Sequence, residues 1–156
     1  MEETDIVNQV TETLGFQAKE KGITLQTEGL EDLPPLQADG SRLFKAFYNL
    51  INNAIPEVMK EGSITVRGTT DPDASTICIS VIDTGRGMTP EIRDSLFTQH
   101  AVSRKAGGTG LGTKIVKDAI DAHGGQITVE SELGVGTTFH IRLPIGGPTA
   151  SPDSPF

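Results

Sequence analysis

The pattern of apolar and polar positions divides the chain into four helical stretches, one of them short, and five strands. Ile6, Val10, Thr13, Leu14 and Ala18 fall at helical spacing and predict a helix from Thr4 to Glu20, stopped before Gly22. Ile23 to Thr27 alternates as a short strand, and Leu33-Pro34-Pro35-Leu36 forms a rigid extended connector. Leu43, Phe47, Leu50, Ala54 and Val58 then step by three and four, predicting a second helix from Ser41 to Ala54 or slightly beyond. Asp39 or Ser41 is its N-cap, and Pro56 kinks or ends it by removing a backbone donor. Strands are expected at Ser63–Thr69 and Thr76–Asp83 around a Thr70-Asp71-Pro72-Asp73 turn. Pro90 opens a short helix to about Phe97, and a loop from Thr98 to Gly110 leads into a helix at Leu111–His123. Gly124-Gly125 closes that helix, and two last strands, Gln126–Ser131 and Thr137–Leu143, flank Gly134-Val135-Gly136.

Composition narrows the picture. A chain of 156 residues fits one domain. Pro144, Pro148, Pro152 and Pro155 crowd its end, so a domain over residues 1–145 and a disordered Pro/Gly/Ser-rich tail over 146–156 are expected. One cysteine rules out an internal disulfide, and Cys78 between Ile77 and Ile79 reads as a buried, inert thiol in a reducing compartment. No apolar run approaches the ~18 residues that span a bilayer, and the start, Met1-Glu2-Glu3-Thr4-Asp5, is acidic. A cytoplasmic setting without direct membrane contact follows as an expectation. The net charge of −8 argues against nucleic acid as a partner. Arg104, Lys105, Lys114 and Lys117 nevertheless lie in a stretch free of Asp and Glu, which suggests a local pocket for a small anion.

Glycine changes the picture more. Of 18 glycines, ten fall between Gly85 and Gly136 in discrete groups, which read as shaped loops. Four segments carry candidate chemistry. Asn49 and Asn53 share one helix face, and a carboxamide oxygen is a hard ligand suited to Mg²⁺. Asp83-Thr84-Gly85-Arg86-Gly87-Met88 follows a strand, where a carboxylate can accept from an exocyclic amine such as that of adenine, with Met88 as an apolar wall. Gly107-Gly108-Thr109-Gly110-Leu111-Gly112 opens a helix, so its backbone N–H groups and the helix dipole favour phosphate. It is neither a Walker A loop nor a Rossmann fingerprint. Gly134-Val135-Gly136-Thr137-Thr138-Phe139 reads by itself as a hairpin turn. Each segment alone also admits a plain structural role.

In this order and spacing the four segments resemble the N, G1, G2 and G3 boxes of the Bergerat-fold superfamily of gyrase, heat-shock chaperone ATPases, sensor histidine kinases and MutL. Within it the chain resembles the catalytic, ATP-binding domain of a sensor histidine kinase, from about Thr4 to Pro144. The resemblance implies an α+β fold, a two-layer α/β sandwich whose mixed sheet of about five strands is backed by three main helices. ATP would lie on the helical side. The resemblance makes Asn53 the Mg²⁺ ligand, Asn49 a lining of the phosphate site, and Asp83 the adenine reader, with Gly85, Gly87 and Met88 beside the ring. Gly108, Thr109, Gly110, Leu111 and Gly112 match the phosphate loop, and Thr137 stands in the last box. Leu96-Phe97 begins the F box, Thr98 to Ala106 forms the lid, and Arg104 and Lys105 are candidates to touch the β- or γ-phosphate. Thr98-Gln99-His100, Thr113-Lys114 and Pro56-Glu57 depart from the family pattern.

Position 49 discriminates among branches. Gyrase-like and MutL-like ATPases carry a glutamate there that activates water, whereas Asn49 cannot act as a base. The expected activity is therefore transfer of the ATP γ-phosphoryl group to a histidine on a separate dimerisation domain, with a response regulator as an indirect partner. None of His100, His123 and His140 is followed by an acidic residue as a phosphoacceptor is. The isolated domain is expected to be monomeric. The alternatives are a nucleotide-binding interaction module without kinase activity and a low-turnover gyrase-type ATPase.

Overall fold

The computed structural model describes residues 3–30, 33, 39–71, 75–91 and 111–145, the side chains of 3–5 and 111–113 aside. In chain order these form α1 (Glu3–Lys21), β1 (Thr24–Glu28), α2 (Gly40–Ala54), a 3₁₀ turn (Ile55–Glu57), β2 (Ser63–Asp71), β3 (Thr76–Asp83), α3 (Leu111–Ala122), β4 (Gln126–Glu132) and β5 (Gly136–Pro144). The sheet order is β1-β2-β3-β5-β4. β1 runs parallel to β2 and every other pair is antiparallel, so the sheet is mixed. All three α-helices among the described residues contribute to one apolar core with the sheet, as expected of an α+β two-layer sandwich.

Strand periodicity decides which face is covered. In β3, Ile77, Ile79, Val81 and Asp83 are buried and their neighbours less so, because side chains alternate across a strand. Ile64 and Val66 of β2 and Ile141 and Leu143 of β5 join the buried face. Cys78 falls on the other face and is only half-buried, contrary to the buried thiol expected from its apolar neighbours. There Ser80 Oγ meets His140 Nδ1 at 2.8 Å, and His140 Nε2 meets Glu130 Oε2 at 3.2 Å.

α2 is the central helix and contacts both α1 and α3. Leu43, Ala46, Phe47, Leu50, Ile51 and Ala54 are buried along it. Asp39 caps it, Oδ1 accepting the Arg42 N–H at 3.2 Å. The α-helix ends at Ala54, two residues before Pro56 as expected, and Pro56 sits in the 3₁₀ turn that follows. α1 buries Ile6, Val7, Val10, Leu14 and Ala18. Thr13 is exposed instead of joining that stripe, its hydroxyl donating to the Gln9 carbonyl at 2.7 Å. α3 is followed directly by His123, which is buried between two backbone groups: Nδ1 donates to the Ala119 carbonyl at 2.7 Å and Nε2 accepts the Asp39 N–H at 2.9 Å. That bridge fixes the end of α3 against the start of α2.

Candidate functional site

β3 delivers Asp83 to its C-terminal end on the buried face, in register with Ile64 of β2 and Thr137 of β5. The residue is 8% exposed. Its Oδ1 accepts the Gly85 N–H at 2.8 Å and the Thr137 N–H at 3.2 Å. No hydrogen bond from a described residue reaches Oδ2. Burial raises the carboxyl above its ordinary value, the two N–H donors pull it partly back, and the nearby charge of Glu57 raises it again. A buried carboxylate oxygen without a donor is costly, and it fits a ligand that brings an N–H or O–H with it.

The loop after Asp83 is built by its own packing. A side chain at Gly85 would meet Asp83 Oδ1 at 2.8 Å and the Glu57 carbonyl at 2.9 Å. Gly87 has a left-handed φ of 72°, and a Cβ there would stand 2.0 Å from the Glu132 carbonyl. Both glycines thus meet a steric need inside the protein, in addition to any closeness to a ring. The loop is pinned on both sides. The Arg86 N–H donates to the Glu57 carbonyl at 3.2 Å and its guanidinium is bidentate on the Glu57 carboxylate. The Gly134 N–H donates to the Arg86 carbonyl at 2.9 Å. The buried Met88 donates its N–H to Ser131 Oγ at 2.7 Å, and Ser131 Oγ also meets Thr137 Oγ1 at 2.8 Å.

Asn49 and Asn53 lie on α2, four residues apart and both half-buried. Asn49 Nδ2 donates to the Lys45 carbonyl at 2.8 Å. Asn53 occupies the last turn and its side chain makes no hydrogen bond to a described residue. Glu57, one turn further on, ties this end of α2 to the loop after β3. Leu111 and Gly112 stand in the first turn of α3. Arg104, Lys105, Gly108, Thr109 and Gly110 lie outside the described residues, as do Leu96-Phe97, the lid span 98–106 and His100. Lys114 is exposed and Lys117 half-buried on α3, and both meet acidic partners there. Each is paired one turn on, with Asp118 at 3.1 Å and Asp121 at 2.8 Å, because the helix brings those acids beneath them.

Two residues of the site carried no signal of their own in the sequence. Glu57 looked only like a departure from a family pattern, and Ser131 like an ordinary strand residue. The alternation of β4 does place Ser131 on the face of Thr137, its direct partner across the ladder.

The family model of the histidine kinase-, DNA gyrase B- and HSP90-like ATPases matches residues 38–147. The chain belongs to this family. The sensor histidine kinase ZraS of Salmonella typhi is 36% identical over 141 residues, covering 90% of this chain and 30% of ZraS. Sporulation kinase E of Bacillus subtilis is 35% identical over 145 residues, covering 91% and 19%. Full-length ShkA, solved in complex with AMPPNP, superposes with a TM-score of 0.82 at 30% identity, over 94% of this chain and 31% of ShkA. The nucleotide-free catalytic domain of histidine kinase ThkA shares the fold, with a TM-score of 0.80 over 94% of both chains at 24% identity. The chain therefore spans roughly a third or less of the length of the curated relatives it matches, and what it spans is their ATP-binding catalytic domain. Among the described residues no helix is long and apolar enough to cross a membrane.

Proposed function

We propose that residues 1–145 form a domain that binds Mg·ATP and presents its γ-phosphoryl group to a histidine on a separate dimerisation domain, of the same or another chain. A response regulator then takes the group from that histidine, and the domain works as the cytosolic catalytic part of a larger sensor protein. The observation that supports this reading best is Asp83, a buried side chain whose Oδ1 is held by two N–H groups and whose Oδ2 accepts from no described residue. The adenine amino group is a donor of the kind that Oδ2 can accept from.

The remaining assignments follow from donor chemistry. Asn53 suits Mg²⁺, because its amide has no described partner and a neutral carboxamide oxygen is a hard ligand. Asn49 lines the phosphates. Leu111 and Gly112 begin α3, and with Gly108, Thr109 and Gly110 they offer N–H groups to phosphate oxygens. Arg104 and Lys105 neutralise charge on the β- or γ-phosphate. Magnesium supplies charge neutralisation at the phosphates when bound. Phosphoryl transfer needs positioning more than covalent chemistry from the protein, so an Asn at position 49 suffices here and leaves water unactivated.

Calorimetric titration with AMPPNP, with and without Mg²⁺, tests the reading on wild type and Asn53→Ala. Micromolar binding strengthened by Mg²⁺ in wild type, with the Mg²⁺ dependence lost in Asn53→Ala, is expected. Absence of binding in wild type contradicts it. Phosphate release faster than about one per minute, a barrier below roughly 20 kcal/mol, points instead to the ATPase branch.

A further inference from the structure

Away from the nucleotide site, the sheet face opposite the core carries a polar chain across three strands. Ser80 of β3 and His140 of β5 are direct partners in the ladder, and Glu130 of β4 pairs with Thr138, two residues before His140. A period of two therefore puts Ser80, His140 and Glu130 on one face, together with Cys78. Ser80 Oγ lies 2.8 Å from His140 Nδ1, and His140 Nε2 lies 3.2 Å from Glu130 Oε2. The partners fix the protons. An ionised carboxylate only accepts, so Nε2 carries the ring proton and Nδ1 holds a lone pair. The Ser80 O–H then donates to Nδ1. Cys78 Sγ stands 3.9 Å from Ser80 Oγ, and with the serine proton spent on the imidazole the thiol is the donor of that contact.

A serine, a base within hydrogen-bond reach and a third group that orients the base make an activated nucleophile on any fold. The chain lies outside the apolar core and meets solvent, His140 being 34% exposed at its side chain. We propose that Ser80 is an acyl-acceptor site for small activated esters, with His140 as general base and Glu130 as a positioning residue. In the step, Ser80 Oγ bonds to the acyl carbon while the bond from that carbon to the leaving oxygen breaks, the electron pair going with the leaving group. The Oγ proton passes to His140 Nδ1 and from there to solvent, which restores the base. β3 is paired on both sides, by β2 and β5, so its backbone N–H groups are spent in the ladders and hold no oxyanion. The site is therefore one of single modification, not of turnover.

The test treats the Cys78→Ala protein, which has no thiol to compete, with p-nitrophenyl acetate, alone and with Ser80→Ala, His140→Gln, Glu130→Ala or Glu130→Gln added; wild type is mapped alongside. Release of p-nitrophenolate gives the rate, peptide mass spectrometry locates the acetyl group, and melting temperatures show that each variant is folded. One equivalent of acetyl on Ser80 is expected, at least about tenfold slower in His140→Gln. Ser80→Ala removes it. Glu130→Ala slows it, and Glu130→Gln, whose amide oxygen still accepts from Nε2, recovers part of the rate, which a merely structural role for Glu130 would not produce. Acetylation of lysines without Ser80, or of Ser80 at the same rate in His140→Gln, overturns the proposal.

Discussion

The two ends of the proposed nucleotide cleft are built on different principles. At the Asp83 end, backbone groups do the holding: Gly85 and Thr137 N–H groups fix one carboxylate oxygen, and three loops meet so closely that Gly85 and Gly87 have no room for a side chain. At the Asn49 and Asn53 end, two side-chain amides stand on one face of a helix, one bonded back to its own helix and the other free of any described partner. The first end is rigid before any ligand arrives and bears the cost of a buried charge. The second places neutral dipoles where charge will come, which costs little until a cation and phosphates are present. Recognition of a flat base suits the first arrangement, and handling a metal–phosphate group suits the second.

The largest effect that sharpens this contrast is expected from Gly87→Ala. With φ at 72° and a Cβ 2.0 Å from the Glu132 carbonyl, it should lose more than ~2 kcal/mol in denaturant unfolding. Gly134→Ala is the control. Its φ of 81° is equally left-handed but nothing lies within 4 Å, so strain alone, about 1 kcal/mol, is expected. Equal losses would mean that loop packing does not matter at the rigid end.

Asp83→Asn separates affinity from stability. A carboxyl raised in the folded state binds protons more readily there than in the unfolded chain. Its contribution to stability therefore grows as pH falls through the raised titration and is lost as pH rises through it. Where Asp83 is ionised, its buried charge is a burden that asparagine removes while still accepting from Gly85 and Thr137. The ligand-free variant should melt no lower than wild type at pH 7, and any excess stability should fade on acidification. A clearly lower melting temperature would show that the charge itself supports the fold.

At the other end the effect is conditional. Asn53→Ala should leave metal-free ADP affinity within about twofold and blunt only what Mg²⁺ adds, since one neutral ligand is lost. A comparable loss without metal would make Asn53 a base-pocket residue instead. The smallest change belongs to Thr137→Val. The backbone, not the hydroxyl, holds Asp83, so stability should fall by about 1 kcal/mol from the broken contact with Ser131, and ADP affinity should stay within about twofold.

Much of the fold was legible because period and punctuation agreed. Leu43, Phe47, Leu50 and Ala54 drew α2, Asp39 capped it, and the apolar run from Ile77 to Ile82 drew β3 up to Asp83. The errors came where one rule was applied alone. Cys78 was judged by its apolar neighbours, although a period of two puts them on the opposite face; Thr13 was counted into a stripe that runs through Val7 and Val10. The candidate site divides similarly. Asp83 and the asparagines could be singled out as types at a spacing, but the partners that shape them are distant in sequence. Arg86 meets Glu57 across 29 residues, Met88 meets Ser131 across 43, and Asp83 meets Thr137 across 54. No local pattern encodes such pairings. They follow from the sheet order, which brings the loops after α2 and β3 against the β4–β5 hairpin.

The central claim is that Oδ2 of Asp83 holds the base of the nucleotide. Titration of ADP into wild type and Asp83→Asn at pH 7.5 tests it most directly. Micromolar binding by wild type and a loss of at least about 1.4 kcal/mol, tenfold in Kd, in the variant is the predicted result. Equal affinity in the two proteins, or no binding by either, would contradict it.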